Sequence, residues 1–308
     1  MEKQLSMVGA LNLRLSTGHG LPTVSSYDIG LAAARIYASG EYGGQKIRNL
    51  QHKFPKRSDI TRYKDQLLGA GVLQQDRHFP SDVWRMTGSP FDAPSDIICS
   101  LDPFCYVSHL SAMEYHGLTD RIPKVIFVTT PSLSEWKEFS IARMERDYGD
   151  LYNEFEQSDL PRIKNFSIKS IGKTVVNAHR SKTAVLGAFI SPKDRPIRVS
   201  SIGRTFMDML RNPDLCGGMT HVIDVFSNNV RPYVRLVVSE IDRNGSKIEK
   251  VRAGYILEEI CGIKDNSTIN SWIQFAQRGG SRKLDPAGDY WPRFSDRWSL
   301  SINIGREE

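Results

Sequence analysis

The densest charge in the sequence is a basic block near its start, between positions 44 and 64. The block holds seven basic side chains: Lys46, Arg48, Lys53, Lys56, Arg57, Arg62 and Lys64. A single acid, Asp59, faces them. Ammonium and guanidinium groups bind phosphates, so a block this dense is typical of a surface that binds a polyanion. The alternative is a solvated surface with no partner.

Carboxylates offer the other chemistry that the sequence suggests. Glu240, Asp242, Lys247 and Glu249 have the composition of a nuclease-like set, provided that the two acids meet at one metal ion. The intervening Asn244-Gly245 indicates a hairpin turn instead. His109 and His116 lie near Glu114, but helical spacing turns the acid away from both.

Common catalytic motifs are absent from the chain. It contains no G-x-S-x-G, P-loop, H-E-x-x-H or G-x-G-x-x-G sequence. The cysteines at 99, 105, 216 and 261 form no C-x-x-C pair and have no zinc-ligand spacing with histidine. We therefore predict reduced thiols, no catalytic residues, no metal and no cofactor.

Composition places the chain among ordinary globular proteins. It has 308 residues, of which 40% are hydrophobic and 25% charged, and this length favours two domains. No apolar run approaches the roughly 20 residues that span a bilayer, and the N-terminus lacks the layout of a secretory signal. We expect a cytoplasmic protein with no membrane contact.

The positive charge is concentrated in the first third of the chain. The net charge is +6, and residues 1–90 hold 12 of the 41 basic side chains but only 7 of the 35 acidic ones. This asymmetry predicts that residues 1–88 form a separate, nucleic-acid-binding domain.

Periodicity within residues 1–88 predicts a winged helix-turn-helix. A first helix is expected from Ser26, its N-cap, to the stop at Gly40, and a second at about 45–52. A third, basic helix is expected after Ser58. Two β-type runs within 72–87 predict a hairpin, which would be the wing.

This arrangement assigns roles to the basic side chains. In a winged helix the third helix enters the major groove, where Arg57, Thr61 and Arg62 would read bases. Phosphates would be bound by the side chains around it and at the wing tip, namely Lys46, Arg48, Lys53, Lys56, Lys64 and Arg77. Winged helices also serve as protein-interaction modules, so the element order alone leaves that alternative open.

The rest of the chain predicts a larger mixed domain. Gly, Pro and Ser mark residues 89–100 as a linker. Strands are expected at 124–130, at 232–238, and twice within 168–190 around a turn at 177–181. Helices and strands that do not strictly alternate indicate the α+β class for a protein with a C-terminal domain at 101–308.

Four segments of the chain resemble AbiEi-type antitoxins. They are YVSHLSAMEYHGLTDRIP at 106–123, RTFMDMLRNP at 204–213 followed by Gly217-Gly218, AGYILE at 253–258, and LDP at 284–286 with RWSLSIN at 297–303. Two departures stand out. Gly203 replaces the glutamate that usually precedes the Arg-Thr pair, and residues 132–165 resemble an insertion.

The resemblance implies a specific function. Such proteins are antitoxins of type IV toxin–antitoxin systems, which are associated with abortive phage infection. Their N-terminal winged helix represses the shared promoter by binding inverted repeats in double-stranded DNA. Their C-terminal domain counteracts a nucleotidyltransferase-like toxin. The family is not known for catalysis, which agrees with the motif search.

Two other function classes stay open from the sequence. One is a nuclease targeted by the winged helix, with its acids near 240–249. The other is a non-catalytic adaptor in a phage-defence assembly, with Trp136, Trp272 and Trp291 at its interfaces. Aromatic residues at such positions more often belong to the core.

Overall fold

The computed structural model of the protein describes residues 4–50, 52–182, 188–277 and 282–305. Helices and sheets both contribute to it, which confirms the predicted α+β class. Within the described residues, no helix is both long and apolar enough to cross a membrane.

The N-terminal unit contains three helices, a three-stranded sheet and a small hairpin. In chain order its elements are α1 (Met7–Gly18), β1 (Thr23–Ser25), α2 (Ser26–Ser39), β2 (Glu41–Tyr42), β3 (Gln45–Lys46), α3 (Arg57–Gly69), β4 (Leu73–Gln74) and β5 (Val83–Met86). The sheet order is β1-β5-β4, with antiparallel pairing throughout. The predicted hairpin is therefore present, and β1 joins it as a third strand.

Local capping explains the bounds of α2. The Ser25 side chain accepts from the backbone N–H of Asp28, and the Asp28 carboxylate accepts from the N–H of Ser25. The N-cap is thus Ser25, one residue before the predicted Ser26. Gly40 ends the helix in the left-handed region, at φ 68°.

The predicted second helix at about 45–52 is wrong. Gln45–Lys46 is β3, which pairs with β2, and residue 51 lies outside the described residues. Gly43 and Gly44 between the strands have φ 58° and 74°. Two consecutive positive φ angles favour a tight hairpin turn and oppose a continuous helix. With α1 at the start the unit has three helices and a three-stranded sheet, and the winged helix-turn-helix stays a prediction.

The remainder of the chain begins with a six-stranded sheet and the helices that lie between its strands in the sequence. These elements are α4 (Pro94–Leu101), β6 (Tyr106–Val107), α5 (His109–Tyr115), β7 (Val125–Pro131), α6 (Leu133–Tyr148), α7 (Tyr152–Gln157), β8 (Ser170–Ile171), β9 (Thr174–Ser181), β10 (Phe189–Ile190) and β11 (Val199–Ser200). The strand order is β10-β11-β6-β7-β9-β8. The longest pairing joins β7 and β9 in parallel.

A helical layer follows this sheet. It comprises α8 (Ile202–Arg211), α9 (Met219–Asn229), α10 (Val234–Asn244), α11 (Lys247–Tyr255) and α12 (Ser267–Ser271), and it ends with the short strands β12 (Phe294–Ser295) and β13 (Leu300–Ser301). Buried side chains of these helices form the largest hydrophobic cluster of the described chain.

Three local predictions in this region are corrected. Residues 232–238 lie mostly in α10, where buried Val237 and Ile241 recur at helical spacing despite the β-branched run. Residues 177–181 lie within β9, and the later part of the predicted strand pair includes 183–187, which lie outside the described residues. The predicted linker contains α4, which Pro94 begins at a favourable first position.

The segment at 132–165 packs against the N-terminal unit. Its buried residues Met144, Tyr148, Phe155 and Leu160 belong to the same hydrophobic cluster as the cores of α2 and α3. Tyr148 stacks on Phe155, with ring centroids 3.8 Å apart. The segment therefore completes the core that residues 1–88 begin.

A close helix–indole contact predicts that Gly254→Ala destabilises the protein. A Cβ atom at Gly254 would lie 2.0 Å from the ring of Trp298, which is fully buried. We expect urea denaturation to show a loss of about 1–3 kcal/mol in the free energy of unfolding. Gly18→Ala is the control because nothing lies within 4 Å of that position. Equal stability of the two variants would contradict the prediction.

Gly203 is also explained by close packing. A Cβ atom at this position would lie 2.6 Å from the carbonyl oxygen of Leu236 in α10. A glutamate at this position would therefore displace α10 from α8. This chain instead uses glycine to bring the two helices into direct backbone contact.

Candidate nucleic-acid interface

The helix α3 is anchored by one face and exposes the other. Ile60, Tyr63 and Leu67 are buried, and the Tyr63 hydroxyl lies 2.7 Å from that of Tyr37 in α2. At the N-terminus, the Asp59 carboxylate accepts from the backbone N–H of Lys56 at 3.0 Å. The single acid of the basic block is thus used to cap the helix.

The exposed face of α3 carries the three predicted base-reading residues. Arg57, Thr61 and Arg62 are all exposed. The Arg62 side chain is 60% exposed even though it forms an ion pair with Asp59 at 2.7 Å and lies over the Tyr63 ring. The pKa of Arg62 is raised chiefly by the hydrogen bond to the Tyr63 hydroxyl, and the negative charge of Asp59 raises it further. The Thr61 hydroxyl donates to the Arg57 carbonyl at 3.2 Å.

Two grooves flank α3 and divide the predicted residues between them. Arg48 and Arg62 line one groove together with His52. Arg57, Thr61 and Lys64 line the other. The helix therefore presents cationic side chains on both sides of its exposed face.

Four other predicted phosphate-binding residues, Lys46, Lys53, Lys56 and Arg77, line neither groove. Lys46, Lys53 and Lys56 are exposed on β3 and in the segment that leads into α3. Arg77 is exposed in the β4–β5 loop, where its Nε donates to His78 at 3.2 Å. Lys64, which lines the second groove, is half-buried and forms an ion pair with Asp65 at 2.6 Å.

The sequence analysis missed a segment that borders the second groove. Residues 158–164, which we call the strap, run beside α3, and their Arg162 and Lys164 line the groove with Lys64. The Asp159 carboxylate accepts from the backbone N–H of Arg57 at 3.0 Å. Arg162 and Lys164 after Pro161 are a basic pair that could have suggested a role in binding. No sequence pattern, however, places them beside α3, which lies about 100 residues earlier in the chain.

The acids of the nuclease alternative do not converge on one site. Asp242 accepts from the Trp272 indole at 2.9 Å, and Glu240 accepts from the Asn244 amide at 3.0 Å. Glu249 is buried and binds Arg211 at 2.7 Å. Burial raises the pKa of Glu249, but hydrogen bonds from Arg211 and Ser246 outweigh it and lower that pKa overall. Throughout the described ranges, no group of His, Cys, Asp and Glu could hold a metal ion.

Two segments that carry the family resemblance meet in a polar interior. Arg204 and Asp208 of α8 are 2% and 3% exposed, and Arg204 Nε lies 2.8 Å from Asp208 Oδ1. Burial raises the pKa of the neighbouring Tyr106 to about 12, and it lowers the pKa of His109. Both side chains are therefore neutral near pH 7. Sequence spacing gave no indication of this cluster because its members lie about 100 residues apart.

Hydrogen bonds orient the histidine in this interior. The Thr129 hydroxyl donates to Ser108 Oγ at 2.9 Å, and Ser108 Oγ lies 2.8 Å from Nδ1 of His109. His109 Nε2, the Tyr106 hydroxyl and Asp208 Oδ2 are buried, and no protein group among the described residues hydrogen-bonds to them. Buried groups of this kind are commonly satisfied by water.

The tryptophans of the adaptor alternative occupy different environments. Trp136 and Trp272 are buried, whereas Trp291 is 57% exposed. The Trp136 indole donates to Asp102 at 3.0 Å. Two of the three are therefore core residues.

Comparison with known proteins adds little to this picture. No family model and no curated protein matches the chain. The crystal structure of the RV2827C protein from Mycobacterium tuberculosis is similar at a TM-score of 0.47 and 12% sequence identity. The similarity covers 97% of this chain and 92% of that chain. A likeness this weak carries no argument about function.

Proposed function

We propose that the protein is a cytoplasmic, double-stranded DNA-binding transcriptional repressor of the AbiEi antitoxin type. The main support is the exposed face of α3, whose Arg57, Thr61 and Arg62 have no role in the core. The flanking grooves add cations beside it. A basic helix next to an antiparallel hairpin is the arrangement by which winged helices bind a major groove.

Binding would proceed by charge first and by base contacts second. Lys46, Arg48, Lys53, Lys56 and Lys64 would neutralise phosphates, while Arg77 in the β4–β5 loop would bind the neighbouring backbone. Arginine on α3 would then pair bidentately with guanine. Repression would follow because the bound protein occludes the promoter.

The antitoxin role is proposed on the family resemblance alone. It assigns residues 101–308 to counteracting a nucleotidyltransferase-like toxin encoded beside this chain. Restored growth on co-expression with that toxin is the result expected. Continued growth arrest, with both proteins present, would remove the antitoxin role and leave the DNA-binding proposal standing.

Fluorescence anisotropy tests the DNA-binding proposal directly. The purified protein is titrated into DNA from its own upstream region and into a scrambled duplex of equal length, from about 50 to 200 mM salt. We expect tight binding to the native duplex alone, with a steep salt dependence. Equal binding to both duplexes would contradict sequence-specific repression, and no binding would favour a protein-interaction module.

A further inference from the structure

The strap packs against the N-terminal unit. Leu160 is 3% exposed and belongs to the core cluster of α2 and α3. Pro161 is buried near Gly30, where a Cβ atom would lie 3.7 Å from it. Lys164 forms an ion pair with Asp82 in the β4–β5 loop. The strap therefore connects α2, α3 and the predicted wing.

The basic side chains of the strap point to a polyanion. Arg162 is exposed, and its guanidinium donates to the carbonyl oxygens of Phe155 and Glu156 at 3.5 and 2.9 Å. Among the described residues, no carboxylate forms an ion pair with it within 4.0 Å, so its charge is not neutralised by a neighbouring acid. Arg162 and Lys164 share their groove with Arg57 and Lys64 of α3.

One acid of the strap lies where a phosphate would be expected. The first backbone N–H groups of a helix lack partners within the helix and favour anions. At α3, the Arg57 N–H donates to the Asp159 carboxylate, which is exposed. Asp159 therefore places negative charge at the end of the helix that would approach DNA.

We propose that the strap forms part of the DNA-binding surface, a step that rests on the proposed function. Arg162 and Lys164 bind backbone phosphates next to the groove that α3 enters. Asp159 occupies the helix N-terminus and weakens binding by repelling the same phosphates. The interface is thus composite, and residues 1–88 hold only part of it.

Charge-neutralising variants of the full chain test this proposal by anisotropy on the native duplex. We expect Arg162→Gln with Lys164→Gln to weaken binding about tenfold at 100 mM salt and to lower the salt slope by about 2. Arg235→Gln with Lys264→Gln removes the same charge from exposed positions in the C-terminal region, and should leave the slope unchanged relative to wild type.

A third variant is expected to strengthen DNA binding instead of weakening it. Asp159→Asn keeps an oxygen for the Arg57 N–H but removes the charge, so affinity should rise about threefold. The Arg162 substitution also removes hydrogen bonds to two backbone carbonyls, so a test without any substitution is needed. Chemical acetylation of lysines in the wild-type protein provides it. Bound DNA should protect Lys164 from acetylation, whereas Lys264 should react equally with and without DNA.

The outcomes separate the two proposals. Wild-type protein that binds no DNA would refute the proposed function and, with it, the composite interface. Wild-type protein that binds, with strap variants equal to the control pair and Lys164 still reactive on DNA, would overturn the composite interface alone.

Discussion

Arg57→Ala combined with Arg62→Ala is expected to reduce affinity for the native duplex by at least about 100-fold. Each bidentate arginine–guanine pair discriminates by about 1–3 kcal/mol, so two lost pairs account for this effect. Arg62 must leave its ion pair with Asp59 to reach a base; its own side chain is 60% exposed, and the Asp59 carboxylate, 12% exposed, keeps the hydrogen bond from the Lys56 N–H. Binding to a scrambled duplex should fall much less, because only charge is lost there.

Folding and binding are separable in this experiment. The two side chains are exposed, and Asp59 still caps Lys56 after the change, so thermal unfolding should match that of wild type. Arg235→Ala with Arg243→Ala is the matched control, since both arginines are exposed on α10. Native-duplex affinity within about threefold of wild type would remove α3 from the proposed interface.

Asp208→Ala is expected to lower the free energy of unfolding by about 3–5 kcal/mol. Arg204, 2% exposed, would keep a buried positive charge with Glu240 as its nearest remaining acid, at 3.9 Å. Replacing both partners, as in Arg204→Met with Asp208→Leu, should recover much of the loss because no charge then remains unpaired.

Urea denaturation at pH 7 measures both variants. A loss below about 1 kcal/mol in Asp208→Ala would show that the pair contributes little to stability. DNA affinity of the folded protein should be unchanged, because this pair lies on α8, outside the grooves at α3. A parallel loss of DNA affinity in folded Asp208→Ala would contradict that separation.

The sequence predicted the part of the candidate site on α3 but missed the part on the strap. The exposed face of α3 was predictable because Ile60, Tyr63 and Leu67 recur at helical spacing and assign the intervening side chains to the surface. The position of Arg162 and Lys164 beside α3 was not predictable. It depends on the burial of Leu160 in a core that is built from segments distant in the sequence. No local pattern encodes that contact.

Features that depend on neighbouring residues were predictable from the sequence. These are the α+β class, the capped helix before Gly40, the β4–β5 hairpin, and the concentration of basic charge around α3. Each follows from local backbone preferences, periodicity or composition, which act over a few residues.

Features that depend on long-range burial became visible in the folded protein alone. Packing made a helix of 234–244 despite its β-branched residues, and it joined the strap to residues 1–88. It also brought Tyr106 and His109 together with Asp208, whose ion pair with Arg204 is buried. The physical reason is that removal of apolar surface from water outweighs propensity differences of a few tenths of a kcal/mol per residue.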